Sequence, residues 1–118
     1  MAKKILVVDD EQEILSLIDE FLTRKGFQVI VADNGEKALD IIDQDGSIDL
    51  ILLDYRMPKL DGSAVLAELK MRQNKTPVIL LTGSLGKETR ELEVGAFLMK
   101  PLDLDEVVAK IEELLGKS

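Results

Sequence analysis

Four short apolar runs in this chain each end on a side chain that can do chemistry. Residues 4–8 lead into Asp9 and Asp10, residues 49–53 into Asp54, residues 78–81 into Thr82, and residues 96–99 into Lys100. Each polar residue has an ordinary explanation when taken singly. Asp10 with Glu13 can form a capping box for a following helix. Asp54 can be a turn acid ahead of Met57 and Pro58, Thr82 a turn hydroxyl beside Gly83, and Lys100 a solvated strand end. Taken together these explanations fail, because the polar residues stand at the ends of four separate apolar segments. If the segments lie side by side, three carboxylates, a hydroxyl and an ammonium converge on one rim.

Convergence of that kind is costly without a counterion. Two like unit charges ~4 Å apart repel by ~4 kcal/mol at an effective dielectric of ~20. A hard cation relieves the repulsion, and a donor set made only of oxygens with few carboxylates suits Mg²⁺, with Mn²⁺ as a possible substitute. An open Mg²⁺ site beside a further carboxylate and a lysine suits a phosphoryl group. The cations neutralise its oxygens, and a carboxylate in line can act as nucleophile.

Composition narrows the chemistry further. The 118 residues include no cysteine and no histidine. That excludes a thiolate nucleophile, a disulfide framework, a Cys/His zinc site, a Ser-His triad and a phosphohistidine within this chain. The 23 acidic residues outnumber the 15 basic ones, for a net charge of -8. Such a balance argues against direct nucleic-acid contact or attraction to anionic lipid. No apolar run approaches the ~18 residues of a membrane-spanning helix, so no membrane insertion is expected. The length suits one domain over residues 1–118, expected to be cytoplasmic.

The elements that must carry these residues alternate in period. The five short runs, at residues 4–8, 27–32, 49–53, 78–81 and 96–99, read as strands, with the near-wholly apolar third one central. Between them lie helical stripes: Ile14, Leu17, Ile18, Phe21 and Leu22; then Ala38, Leu39, Ile41 and Ile42; then Val65, Leu66 and Leu69; and last Leu104, Val107, Val108, Ile111 and Leu115. Gly26 stops the first helix, Asn34-Gly35 turns the chain into the second, and Pro58 and Asp61-Gly62 break the chain before the third. Alternation at this spacing implies right-handed crossovers and a parallel sheet covered on both faces. In such sheets ligands bind outside the carboxyl ends of the strands, where the strand order reverses.

The segments V-V-D-D-E (residues 7–11), D-Y-R-M-P-K-L-D-G (54–62), L-L-T-G (80–83) and M-K-P (99–101) together resemble the receiver domain of bacterial two-component response regulators. The likeness runs the whole chain in order. It implies an α/β fold of the flavodoxin-like, CheY-like kind: a five-stranded parallel sheet in the order 2-1-3-4-5, with helices on both faces. It implies that Asp54 accepts the phosphoryl group. Asp10 and Asp54 would hold Mg²⁺ directly, Asp9 would do so through water, and the main-chain carbonyl of Arg56 would add a ligand. Lys100 would pair with the phosphoryl oxygens, and Thr82 would hydrogen-bond one of them. Phe97 falls at the family's switch aromatic, and the Lys100-Pro101 peptide is expected to be cis, an isomer accessible before proline. Arg56 and Ser84 lie where water would approach, so they would tune the lifetime of the phosphoryl group. The donor would be a sensor histidine kinase or a phosphotransfer protein, and the output an unspecified downstream protein. The state implied is a monomer or a weak, phosphorylation-dependent dimer.

One region departs from the family pattern. The stretch from Thr82 to Lys100 is shorter than in most members, and residues 84–94 (S-L-G-K-E-T-R-E-L-E-V) carry only Leu85, Leu92 and Val94 as apolar anchors. Gly86 lowers helix propensity by ~1 kcal/mol relative to alanine. A short, tilted or mobile fourth helix is expected. Leu102, where many relatives have phenylalanine, is a conservative change.

Rival functions fit less well. A haloacid-dehalogenase-type phosphatase needs a second aspartate two residues after the nucleophile, where this chain has Arg56. A flavodoxin needs a Ser/Thr/Gly-rich phosphate loop after the first strand, where Asp9, Asp10 and Glu11 would repel phosphate. A phosphorylation-independent interaction domain would lack one of the acids or the lysine, and all are present. The chain can also be the receiver portion of a longer regulator or hybrid kinase.

Overall fold

The computed structural model describes residues 2–116, so the ends of the expected 1–118 domain lie outside it. Among the described residues ten elements alternate strictly: β1 Lys4–Val8, α1 Gln12–Arg24, β2 Gln28–Ala32, α2 Gly35–Gln44, β3 Leu50–Asp54, α3 Gly62–Met71, β4 Val78–Thr82, α4 Lys87–Arg90, β5 Ala96–Met99 and α5 Leu104–Leu115. The strands pair in parallel as β2-β1-β3-β4-β5, the expected 2-1-3-4-5 order. The chain crosses from one side of β1 to the other between β2 and β3, which opens the crevice beside the end of β1.

Strand alternation divides the core in two. Leu6, Val8, Ile51, Leu53, Val78 and Leu80 face one side and pack with Ala38, Leu39 and Ile42 of α2 and with Val65 and Leu69 of α3. Ile5, Val7, Leu50, Leu52, Ile79, Leu81 and Leu98 face the other, against Leu15, Ile18 and Leu22 of α1 and Val107 and Ile111 of α5. β3 and β4 are buried from end to end, as strands covered on both faces must be.

The helix ends follow local chemistry. The side chain of Asn34 accepts from the Lys37 amide at 2.9 Å, and that of Asp61 from the Ala64 amide at 3.0 Å. Gly26, at φ +96°, takes the chain out of α1 through a left-handed step that a side chain would strain.

One expectation needs correction in α1. Leu17 is 52% exposed, whereas Leu15, absent from the stripe read in the sequence, is 3% exposed and in the core. The buried row is Leu15, Ile18 and Leu22, with Ile14 on its margin and Phe21 half-buried. The periodicity is compatible with both rows, and docking on the sheet puts Leu15 inward and Leu17 outward. Glu11 caps α1 without a side-chain hydrogen bond, so the capping box set aside in the sequence does not engage Asp10.

The fourth helix is a single turn of four residues. Only Thr89 is buried between residues 84 and 94, while Leu92 and Val94 lie partly buried against the core. A groove of about 1110 Å³ lies between α3 and residues 91–95. That groove opens at the amino ends of β4 and β5, away from the rim that carries Asp54. No helix among the described residues is long and apolar enough to cross a membrane.

Candidate functional site

Asp9, Asp10, Asp54, Thr82 and Lys100 come together at the carboxyl ends of the strands. Asp54 and Thr82 are the last residues of β3 and β4 rather than the first residues of turns, so the sheet register fixes their backbones. Asp54 pairs with Leu81 and Thr82 with Met99. The ladder continues one residue further, with the Tyr55 amide donating to the Leu81 carbonyl at 2.9 Å and the Lys100 amide to the Thr82 carbonyl at 2.8 Å. By strand alternation Asp9, Asp54 and Lys100 continue the face of Val7, Leu52 and Leu98, whereas Thr82 continues the face of Leu80. Phe97 pairs with Leu80 in register and packs half-buried on that second face, one pleat before the level of Thr82. The Lys100-Pro101 peptide is cis.

A close approach beneath Asp54 sets the turn after β3. A Cβ on Gly62 would stand 2.8 Å from the Tyr55 Cα and 2.9 Å from the Asp54 carbonyl oxygen, both backbone atoms that cannot give way cheaply. The Gly62 amide donates to the Tyr55 carbonyl at 2.8 Å. The glycine read in the sequence as a chain break is thus also a packing requirement of the site.

Asp9 and Asp54 are buried and Asp10 is exposed, with one oxygen from each of the three carboxylates lying within 4.8 Å of the others. Asp9 Oδ1 accepts from the Glu11 amide at 2.9 Å. Lys100 Nζ lies 3.0 Å from Asp54 Oδ1 and 3.5 Å from Asp9 Oδ2. Burial pushes the Asp54 carboxyl up to about 6; the hydrogen bond from Lys100 opposes the rise, and the charges of Asp9 and Asp10 add to it. Burial works against the Lys100 ammonium, yet the hydrogen bond and charge of Asp54, with Asp9 behind them, hold its pKa above the ordinary lysine value. The two shifts agree physically, since one ammonium meets an excess of carboxylate while no carboxylate is fully neutralised.

The donor set fits a hard divalent cation. Three carboxylates against one ammonium leave two negative charges. Asp9 Oδ2 is buried without a hydrogen-bond donor, and the ammonium 3.5 Å from it is shared with Asp54, so its charge is only partly compensated. Every available ligand is oxygen, as Mg²⁺ requires. Among the described residues the main-chain carbonyl of Arg56 accepts no hydrogen bond, and the Arg56 side chain is exposed.

Thr82 is turned toward its own loop. Its hydroxyl donates to the Ser84 carbonyl at 2.8 Å, and the Ser84 amide returns to the same hydroxyl at 3.3 Å. The Ser84 side chain is exposed. Thr89 meets the same carbonyl and was missed in the sequence, because a threonine in a polar stretch without periodicity carries no signal of burial.

Comparison with known proteins agrees with this geometry. Residues 5–112 match the response regulator receiver domain family. The chain is 48% identical over 119 residues to the transcriptional regulatory protein CpxR of Escherichia coli strain K12, covering 98% of this chain and 50% of that one. It superposes on the receiver domain of the Francisella response regulator 1452 with a TM-score of 0.89 at 31% identity, covering 96% of each. Chemotaxis protein CheY4 of Vibrio cholerae gives a TM-score of 0.91 at 24% identity, covering 98% of this chain and 100% of that one, a likeness of fold alone. The chain spans about half the length of the curated relatives it matches. A flavodoxin-like sheet in the order 2-1-3-4-5, an acidic cluster at its carboxyl rim and a family match over nearly all its length lead to one assignment: this chain belongs to the response regulator receiver domain family.

Proposed function

We propose that this receiver is a phospho-accepting switch in which Asp54 takes a phosphoryl group from a partner protein's phosphohistidine. The observation that carries the reading is the buried Asp54 carboxylate at the end of the central strand, 3.0 Å from Lys100 and clustered with Asp9 and Asp10. An Asp54 oxygen attacks phosphorus in line, the bond from phosphorus to the donor imidazole nitrogen breaks, and an acyl phosphate forms on Asp54. Lys100 stays beside Asp54 and pairs with the phosphoryl oxygens. Asp10, Asp54 and the Arg56 carbonyl would hold Mg²⁺, with Asp9 acting through water. When bound, the ion would neutralise charge on the transferring group. The donor histidine lies outside this chain, which has none, and the family likeness supports a sensor histidine kinase or a phosphotransfer protein. Thr82 then turns toward the phosphoryl group, and Phe97, on the same face, moves into the space it leaves. That change biases the surface seen by a downstream partner.

Incubation with acetyl phosphate and Mg²⁺ tests the chemistry. A single hydroxylamine-labile label at Asp54 is expected, absent without the metal and absent in Asp54→Asn. A label that persists in that variant identifies another nucleophile. Arg56, long, cationic and exposed at the turn after β3, screens the approach of water, and Arg56→Ala is expected to hydrolyse its acyl phosphate several-fold faster. Unchanged decay of radiolabel in that variant removes Arg56 as a gate.

A second reading concerns context. The match to about half of each curated relative favours a receiver that works within a longer regulator, with the output residing in the remainder.

A further inference from the structure

Among the described residues the buried polar and charged side chains are Asp9, Asp54, Thr82 and Thr89. Three belong to the rim. The fourth, 5% exposed, sits in the single turn of α4 and shares an acceptor with Thr82. The Ser84 carbonyl takes the Thr82 hydroxyl at 2.8 Å and the Thr89 hydroxyl at 3.4 Å, while Thr89 also reaches the Gly86 carbonyl at 3.0 Å.

We propose that Thr89 is a positioning residue for Thr82, holding the Ser84 carbonyl so that Thr82 can leave it for the phosphoryl group. The inference rests on the acceptor reading given above. A threonine hydroxyl has one proton to donate. While Thr82 gives that proton to Ser84, it has none for an oxygen on Asp54. Turning away strips the Ser84 carbonyl of its better donor, and losing that partly buried hydrogen bond without a replacement is unfavourable. Thr89 removes that obstacle by shifting its own proton from Gly86 to Ser84. Gly86 does not go unpaired in exchange, because its carbonyl also accepts the Arg90 amide at 3.1 Å. The hydroxyl exchange therefore links the phosphoryl site to α4 through one carbonyl, with every acceptor satisfied in both arrangements.

Beryllofluoride with Mg²⁺, a stand-in for the phosphoryl group on Asp54, tests the exchange by calorimetric titration. Thr89→Val keeps the shape and deletes the donor. It is expected to weaken beryllofluoride binding roughly fivefold, the worth of one net hydrogen bond. Mg²⁺ affinity measured alone should stay within about twofold, and Thr89→Ser should restore beryllofluoride binding to within about twofold of the parent. In a Thr82→Ala background the Ser84 carbonyl lacks Thr82 in both states, so adding Thr89→Val should change nothing beyond about twofold. Should the valine variant fail to fold, Thr89→Ala removes the same donor and is held to the same outcomes. Undiminished binding in the valine variant, or an equal loss with and without Thr82, overturns the exchange and leaves the acceptor reading standing. Failure of the parent protein to bind beryllofluoride overturns both.

Discussion

Asp54 lies 3.0 Å from the Lys100 ammonium, yet its carboxyl is pushed up to about 6, because burial and two neighbouring acids outweigh one cation. The folded pKa therefore exceeds the unfolded value of 3.8. A group shifted upward contributes stability that is fully present below the unfolded value and lost as pH rises through the folded one. In metal-free buffer the protein is expected to gain stability as pH falls from 7 toward 4 through this group, by on the order of 2 kcal/mol. Asp54→Asn removes the buried charge. It should be more stable than the parent at pH 7 in chelator by a similar order, with the advantage shrinking toward pH 4. Urea melts at both pH values check this, and a destabilised Asn variant at pH 7 would show that the Lys100 pair outweighs burial and repulsion.

At the scale of elements, the two rows of α1 separate burial from apolar content. Leu15→Ala opens a cavity under the helix and should cost ~2–4 kcal/mol, whereas Leu17→Ala should fall within ~0.5 kcal/mol of the parent. Comparable losses in denaturant titration would return Leu17 to the core. α4 is the other element whose behaviour follows from its packing. One helical turn with a single buried side chain buries little surface, and low local contact means low local stability. Residues 84–94 are expected to exchange amide hydrogens quickly in the apo protein and to gain protection when beryllofluoride and Mg²⁺ bind. The response is then chiefly an ordering of this segment. Strong apo protection across residues 84–94 would instead indicate a rigid shift of a preformed turn.

For the whole molecule, the rim couples cation binding to global stability. A ligand that binds only the folded state adds RT ln(1 + [L]/Kd), about 2.7 kcal/mol at a hundredfold excess over Kd. Mg²⁺ should raise the melting temperature, and Asp10→Ala should abolish the rise; coincident melts of the parent with and without saturating Mg²⁺ would sink the metal reading. Much of this molecule is legible in its sequence. Five apolar runs alternating with amphipathic stripes leave a doubly covered parallel sheet as the economical arrangement. Polar residues directly after four of those runs must then gather at the carboxyl rim, because parallel strands place like ends together. The weak fourth helix was legible for the same reason, since a segment with few apolar anchors cannot bury a face. Other features belonged to the tertiary structure. Two candidate rows shared α1, and only docking on the sheet put Leu15 inward and Leu17 outward. Gly62 reads in the sequence only as a chain break, and its close contact with the backbone of Asp54 and Tyr55 exists only in the fold. Thr89 gave no pattern at all, because its burial and its shared carbonyl with Thr82 depend on how a short loop folds back. Periodicity is a property of neighbours along the chain, whereas helix rotation, backbone approach and a shared acceptor arise between segments that meet only in the folded protein.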